Sequence, residues 1–231
     1  MNYRCIPILA FGLSVVAWGQ QSALAPANPS DSGPTLAATM QYIQEKLSDQ
    51  GPVESAETRN NFPAVTEHVR FLLADVMADA AACTLYTTET VDYTFELPRG
   101  KNLIVGGKSV TADDMRTHIV ETDTVSLKQI EKVTVETAQD FENQALAEAA
   151  HPEIKATYTP TVFIVKLSAS SAVFPSHTST TKGNQAPAEE DSTGKTSGYT
   201  FRDEDTANRV AKAMIHAMEL CGGGVTKKEL F

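Results

Sequence analysis

Basic residues are scarce in this 231-residue sequence. The chain carries 19 lysines and arginines against 29 aspartates and glutamates, which gives a formal net charge of -10. Proteins that bind nucleic acid need clustered lysine and arginine to contact phosphates. Attraction to anionic lipid needs similar basic clusters. The charge balance therefore argues against both kinds of protein.

Long hydrophobic runs are also scarce, and the one that stands out is at the N-terminus. "IPILAFGLSVVAW" follows "MNYRC", whose one positive charge is Arg4. This layout predicts a signal peptide over residues 1–19, with Ala17 and Gly19 next to the cut. An uncleaved N-terminal anchor is the alternative. Residues 20–33 are rich in proline, serine and alanine, and predict a flexible leader. The expected location is outside the cytoplasm, either periplasmic or secreted.

Cysteine occurs three times, and Cys5 lies within the predicted signal peptide. Cys83 and Cys221 remain, and an even number of cysteines in an exported chain predicts a disulfide. Chain-entropy models give such a long loop roughly 4–5 kcal/mol of stabilisation. Two buried free thiols are the alternative interpretation.

The usual motifs of catalysis and cofactor binding are absent from the sequence. No G-x-S-x-G occurs, and "STGKTSG" has Glu189 where a phosphate-binding loop needs glycine. The pairs Asp113-Asp114 and Asp203-Asp205 fit helix starts better than catalytic or calcium sites. We therefore expect no enzyme activity, no catalytic residue, no cofactor and no metal site.

The histidines support the same expectation, because none stands at metal-ligand spacing from another histidine or a cysteine. The five are His68, His118, His151, His177 and His216.

Helical patterns lie at both ends of the predicted domain, residues 34–224. The first runs from Pro34 to Gly51, and the last from Asp203, a good N-cap, to Gly222, a suitable C-terminal glycine. The expected buried faces are Leu36, Met40, Ile43 and Leu47 in the first helix, and Ala207, Val210, Met214, Ala217, Met218 and Cys221 in the last. "AQDFENQALAEAA" predicts a third helix.

Strand patterns fill most of the chain between these helices. "VDYTFELP" alternates strictly, and "NLIV", "THIVETDTVSL", "EKVTVET", "TYTPTVFIVKLSAS" and "YTF" also predict strands. Residues 60–82 fit either helix or strand, and the spacing of Val65, Val69, Leu72 and Val76 slightly favours helix. Residues 175–198 are polar and predict a long disordered loop. Residues 225–231 form a short tail.

Several segments together resemble an uncharacterised family of exported bacterial proteins. They are "TLAATMQYIQEKL", "LADVMADAAACTL", "VSLKQIEKVTVE" and, most specifically, "YTFRDEDTANRVAKAMIHAMELCGG". The resemblance implies a pleckstrin-homology-like barrel closed by a C-terminal helix, and offers no catalytic residues to transfer. It implies a strand over roughly Glu67 to Asp75, and places Cys221 within reach of Cys83.

The expected fold is therefore α+β. It is a small antiparallel β-barrel or strongly curled sheet, pleckstrin-homology-like, with an N-terminal helix and a C-terminal capping helix.

Three functions are compatible with this sequence. The first is a non-catalytic exported domain that binds a protein or peptide partner in the cell envelope, because an open edge strand accepts a peptide. The second is a carrier of a lipid or small apolar ligand, in a cavity lined by residues such as Met214, Met218, Phe95 and Phe163. The third is a hydrolase whose residues follow no familiar pattern. Nucleic acid is not an expected partner, and membrane contact is expected only through the leader before cleavage.

Overall fold

The computed structural model describes residues 33–61, 65–99, 102–105 and 107–223. The predicted signal peptide, nearly all of the leader and the tail at 225–231 lie outside these ranges. The described residues form an α+β fold with four α-helices and mostly antiparallel sheets.

The helices are α1 (Leu36–Asp49), α2 (Ala112–Met115), α3 (Ala138–Glu148) and α4 (Glu204–Leu220). The strands are β1 (Val53–Arg59), β2 (Thr66–Asp79), β3 (Thr84–Glu96), β4 (Leu103–Val105), β5 (Lys108–Val110), β6 (Thr117–Ser126), β7 (Lys132–Thr137), β8 (Ala156–Thr159), β9 (Phe163–Ser168), β10 (Phe174–Lys182), β11 (Ala188–Gly194) and β12 (Thr196–Phe201).

Most strands belong to one seven-stranded sheet, with the order β11-β10-β6-β3-β2-β1-β8. A three-stranded sheet has the order β12-β9-β7, and β4 pairs with β5. In the part of the chain that the structure describes, the end strands β11 and β8 do not pair, so the large sheet does not close into a barrel. Of the two predicted forms, the curled sheet is the compatible one.

The two flanking helices form where the sequence predicts them. Thr35 caps α1 and Asp203 caps α4. The Asp203 side chain accepts a 2.8 Å hydrogen bond from the Thr206 amide. Gly51 and Gly222 follow the two helices with φ of 63° and 74°, a backbone conformation that glycine adopts freely. Most of each predicted buried face is confirmed: Ile43, Val210 and Met214 are fully buried, whereas Leu36 and Cys221 are only partly buried and pack against the core.

The main core lies where α1 and α4 pack together and contact the sheets. Its members include apolar residues of both sheets: Leu73, Val76, Leu85, Val125, Val165, Leu167, Phe174, Tyr199 and Phe201. The predicted disulfide is confirmed at this core. Cys83 precedes β3 and Cys221 ends α4, with a Cα–Cα distance of 5.9 Å and a sequence separation of 138. The bridge therefore fastens the closing helix to the large sheet.

The ambiguous segment at residues 60–82 contains a strand, β2, as the resemblance implies and against the helical spacing. The pairing of β2 with β3 shifts register between Leu73 and Asp75. Val69 and Leu73 are buried before this bulge, and Val76 is buried after it. Because a bulge inserts one residue, it changes which side chains face the core. The resulting spacing of buried residues imitates a helix.

The prediction of a disordered loop at residues 175–198 is wrong. The segment lies in β10, β11 and β12, and β10 pairs along β6 from Ser176 to Lys182. Its many threonines suit a strand, because β-branched side chains favour extended backbone. The polar composition reflects a position at the edge of the sheet, where most side chains remain partly or fully exposed.

Candidate functional site

The inner face of the seven-stranded sheet is the face that carries Leu85, Glu89 and Val91. Side chains alternate along a strand, so Thr87 and Tyr93 of β3 point the same way. Near the disulfide this face is apolar and packs in the main core. Further along the same strands it carries carboxylates, which form two groups.

The first group, the Arg59 cluster, surrounds a glutamate that is only 3% exposed, Glu57. Arg59 Nε lies 2.5 Å from Glu57 Oε1, and Arg59 Nη2 donates to Glu142 Oε1 at 2.9 Å. The Tyr158 hydroxyl donates to Glu57 Oε2 at 2.7 Å. Both oxygens of the buried carboxylate therefore have partners, as a buried charge requires.

Glu67 adds an unfavourable charge to the Arg59 cluster. It lies directly opposite Glu57 across β1 and β2, and like charges in that position repel. Burial, followed by the charge of Glu57, raises the pKa of Glu67 to about 7. Burial also raises the pKa of Glu142, and burial and the nearby Glu57 raise that of the Tyr158 hydroxyl. Arg59 pairs with both Glu57 and Glu142, so we interpret the cluster as stabilising the fold.

The second group, the Glu89 cleft, is a cavity of about 210 Å³ between the two larger sheets. Glu89 and Glu121 lie directly opposite each other across β3 and β6, and Asp123 follows on the same face. The other lining residues are Phe141, Ile164, Lys166, Phe174, Ser176, Ser192, Gly194, Thr196, Ser197 and Gly198.

Burial raises the pKa of two carboxyl groups in the Glu89 cleft. Burial, followed by the charges of Glu121 and Asp123, raises the pKa of Glu89 to about 8. Burial and Glu121 raise the pKa of Asp123 to about 6. The Ser176 hydroxyl donates to Glu121 Oε1 at 2.6 Å. The cleft is therefore a polar space in which Glu89 is protonated at neutral pH, and Asp123 keeps its proton to a higher pH than an ordinary aspartate.

The Glu89 cleft differs from the active site of a serine hydrolase that uses a serine–histidine pair. Its serines have no histidine beside them, because no described histidine lines the cleft. Lys166 contacts Glu136 at 3.2 Å and lies 4.9 Å from the centre of the Phe141 ring. A serine nucleophile needs a positioned base. The closest arrangement to this in the cleft is the Ser176 hydroxyl, which donates to the Glu121 carboxylate.

The histidines are dispersed over the surface. His68 lies 3.5 Å from Glu96, His118 lies 2.7 Å from Asp92, and His151 lies 3.5 Å from Glu153. His216 contacts the Pro34 carbonyl at 3.0 Å, and His177 contacts two carboxylates of β11. Over the described ranges, no group of three or more histidine, cysteine, aspartate or glutamate side chains is arranged to hold a metal ion.

The residues expected to line an apolar cavity lie elsewhere. Met214 and Met218 are buried in the main core, and Phe163 packs against it. None of these, nor Phe95, lines the Glu89 cleft or a wider surface depression beside Arg70 and Asp92. The positions of the two methionines fit ordinary core packing.

The edge of the large sheet at β11 is the remaining candidate. β11 spans seven residues and pairs with β10 on one side, and no described strand pairs with its other side. Three consecutive acidic residues, Glu189, Glu190 and Asp191, lie on it and are exposed. An unpaired strand edge offers backbone N–H and C=O groups to another extended chain.

Sequence patterns predict neither these carboxylates nor the β11 edge. One signal was present: the alternation of Val91, Tyr93 and Phe95, extended backwards, places Glu89 on the buried face. A glutamate at such a position is unusual and marks a polar site. The pairing of Glu89 with Glu121 is set by strand register, which a single sequence does not reveal.

Comparisons with known proteins add no family to these observations. No family model matches the chain, and neither a curated protein nor a solved structure matches it. Among the helices of the described residues, none is both long and apolar enough to cross a membrane. The disulfide indicates a location outside the cytoplasm, where such bonds persist.

Proposed function

We propose that this protein is a non-catalytic exported domain that binds an extended peptide segment of an envelope protein. The segment adds as a strand to β11, and the observation that carries this proposal is the unpaired second side of that strand. Strand addition gains affinity from main-chain hydrogen bonds.

The two ends of the large sheet differ in a way that supports β11 as the site. β8 has four residues, is followed directly by Pro160 and contacts α3. Short strands, proline and a covering helix are the usual ways of blocking an edge. β11 is also flanked by a proline, Pro187, but it has seven residues, five of which are exposed. Of the two edges, β11 is the longer and more open.

Export and a pleckstrin-homology-like architecture are part of the same proposal. The disulfide and the N-terminal leader pattern support export. The packing of α4 against the sheets supports the comparison with a curled sheet capped by a C-terminal helix.

The test begins by selecting binders from a randomised ten-residue peptide library on the disulfide-bonded protein. We expect a selected peptide to slow hydrogen exchange at the amides of β11. Two versions of that peptide are then made, each methylated on one of the two alternating sets of backbone nitrogens. One version should lose binding and the other should keep it, since only one set of amides faces β11. Slowed hydrogen exchange at another surface, or unchanged binding of both methylated peptides, would exclude strand addition.

A further inference from the structure

The acidic side chains of β11 face both sides of the sheet. Glu189 and Asp191 share one face, and Glu190 lies on the other, because side chains alternate along a strand. A strand added beside β11 would place its own side chains about 4.5–5.5 Å away, between Cβ atoms. Any added segment therefore meets carboxylates on whichever face it presents.

A second copy of this chain is a poor occupant of the edge. Two β11 strands paired with each other would bring the acidic runs together, and like charges opposite each other destabilise a sheet. Charged edges commonly prevent such self-pairing. The same charges favour lysine or arginine in a different partner. The net charge of -10 adds an attractive field for such a partner.

His177 of β10 sits between the two acidic side chains of one face. Its Nδ1 lies 2.8 Å from Asp191 Oδ1, and its Nε2 lies 3.2 Å from Glu189 Oε2. Only the protonated ring donates from both nitrogens. The hydrogen bond with Asp191 is the main cause of a raised pKa for His177.

Apart from β11, no strand of the described residues places a charge opposite His177. On its β6 side it faces Thr122, and the Ser179 hydroxyl of β10 donates to Glu189 at 2.8 Å. Protonated His177 therefore neutralises part of the acidic face of β11, and neutral His177 leaves both carboxylates to an incoming cation.

Resting on the strand addition proposed above, we infer that the bound segment is cationic, with lysine or arginine at alternate positions. We further infer that binding strengthens when His177 loses its proton. The expected ligand is an extended basic peptide. Its backbone hydrogen-bonds to the edge of β11, and its positive side chains contact the carboxylates of Glu189 and Asp191.

Three nine-residue peptides test the charge preference: threonine alternating with lysine, with glutamine or with glutamate. We expect the lysine peptide to bind about tenfold more tightly than the glutamine peptide at low salt, and the glutamate peptide to bind most weakly, as exposed ion pairs are each weak. Affinity is measured by fluorescence anisotropy and the binding site by hydrogen exchange at β11.

Paired variants separate local recognition from general attraction. Glu189→Gln with Asp191→Asn should weaken binding of the lysine peptide about fivefold. Glu54→Gln with Glu153→Gln removes the same amount of charge from exposed positions on β1 and the α3–β8 loop and should leave affinity nearly unchanged. Equal losses in both variants would mean nonspecific attraction and would overturn the inference.

The pH arm uses His177→Gln. Wild-type protein should bind the lysine peptide about threefold more tightly at pH 8 than at pH 5.5, and the variant should show little change. A wild-type profile that is flat, or one that the variant retains, would overturn the role of His177.

The possible failures are distinguishable. Equal binding of the lysine and glutamine peptides, with protection of β11, would overturn the charge preference and leave strand addition standing. No protection of β11 by any of the three peptides, together with no β11 binder from the randomised library, would overturn both.

Discussion

Two residue pairs on the same two strands show how differently the inner face is used at its two ends. Leu85 of β3 lies opposite Val125 of β6, and both are fully buried in the main core. Four residues further along, Glu89 lies opposite Glu121, and the pair lines a cleft. Backbone pairing is the same in both places. The covering elements differ, so one end supplies stability and the other holds groups that repel each other.

The disulfide at the apolar end should give the largest effect when removed. Replacing both cysteines, Cys83→Ser with Cys221→Ser, should lower the free energy of unfolding by about 4 kcal/mol, because the bridge restricts a 138-residue loop of the unfolded chain. Urea titration measures the loss. Wild-type protein that has been reduced and alkylated should show a similar loss, and a loss below about 1 kcal/mol would contradict the prediction.

Truncation in the apolar pair comes next. Leu85→Ala should cost about 3 kcal/mol, since it removes buried methyl groups and leaves a cavity in the main core. Tyr86→Ala, at an adjacent residue that is 37% exposed, serves as the control and should cost much less. Equal costs in urea titration would mean that the Leu85 site collapses without a cavity.

At the carboxylate end, the Arg59 cluster should be sensitive to loss of its cation. Arg59→Gln leaves Glu57 buried without its ion pair and should cost about 2 kcal/mol, an effect reduced by the partial exposure of the arginine. Arg70→Gln removes an exposed arginine with longer contacts to Glu54 and Asp92. Thermal unfolding of the two variants should rank them in that order, and the reverse order would refute the assignment.

The smallest expected effect is on the pH dependence of stability, and it comes from replacing Glu89. Its folded pKa, about 8, lies above the ordinary value of 4.5, so folding favours the protonated form. The stability from this group is complete below about pH 4.5 and is lost as pH rises towards 8. Glu89→Gln should therefore flatten this decline and stabilise the protein at pH 8.5 by about 1 kcal/mol.

The matched control for Glu89 is Glu96→Gln, at an exposed position on the same strand. Its profile of unfolding temperature against pH should follow that of the wild-type protein. If Glu89→Gln also follows the wild-type profile, repulsion within the Glu89 cleft does not limit stability.

The apolar end could be predicted from the sequence and the carboxylate end could not. The buried face of α4 repeats with helical spacing, and its caps, Asp203 and Gly222, have local causes. The pairing of Cys83 with Cys221 follows from having two cysteines left. The helix features depend on short-range pattern, which one sequence contains, and the disulfide pairing depends on the cysteine count.

The failures have physical causes as well. In β2 a bulge beside Ala74 gives strand residues a helical spacing. In residues 175–198 the strands lie at a sheet edge, so they lack the apolar face that ordinarily identifies a strand. The opposition of Glu89 and Glu121 depends on contacts between residues distant in sequence. None of these depends on local pattern alone.

The bridge between Cys83 and Cys221 also ties the fold to the order in which the chain is made. Synthesis proceeds at about 5–20 residues per second, so Cys221 follows Cys83 after roughly 7–28 seconds. Through that interval Cys83 has no permanent partner, and a chain that stops before α4 never provides one. An unfinished molecule therefore cannot form this bridge, and its Cys83 thiol stays available for reaction.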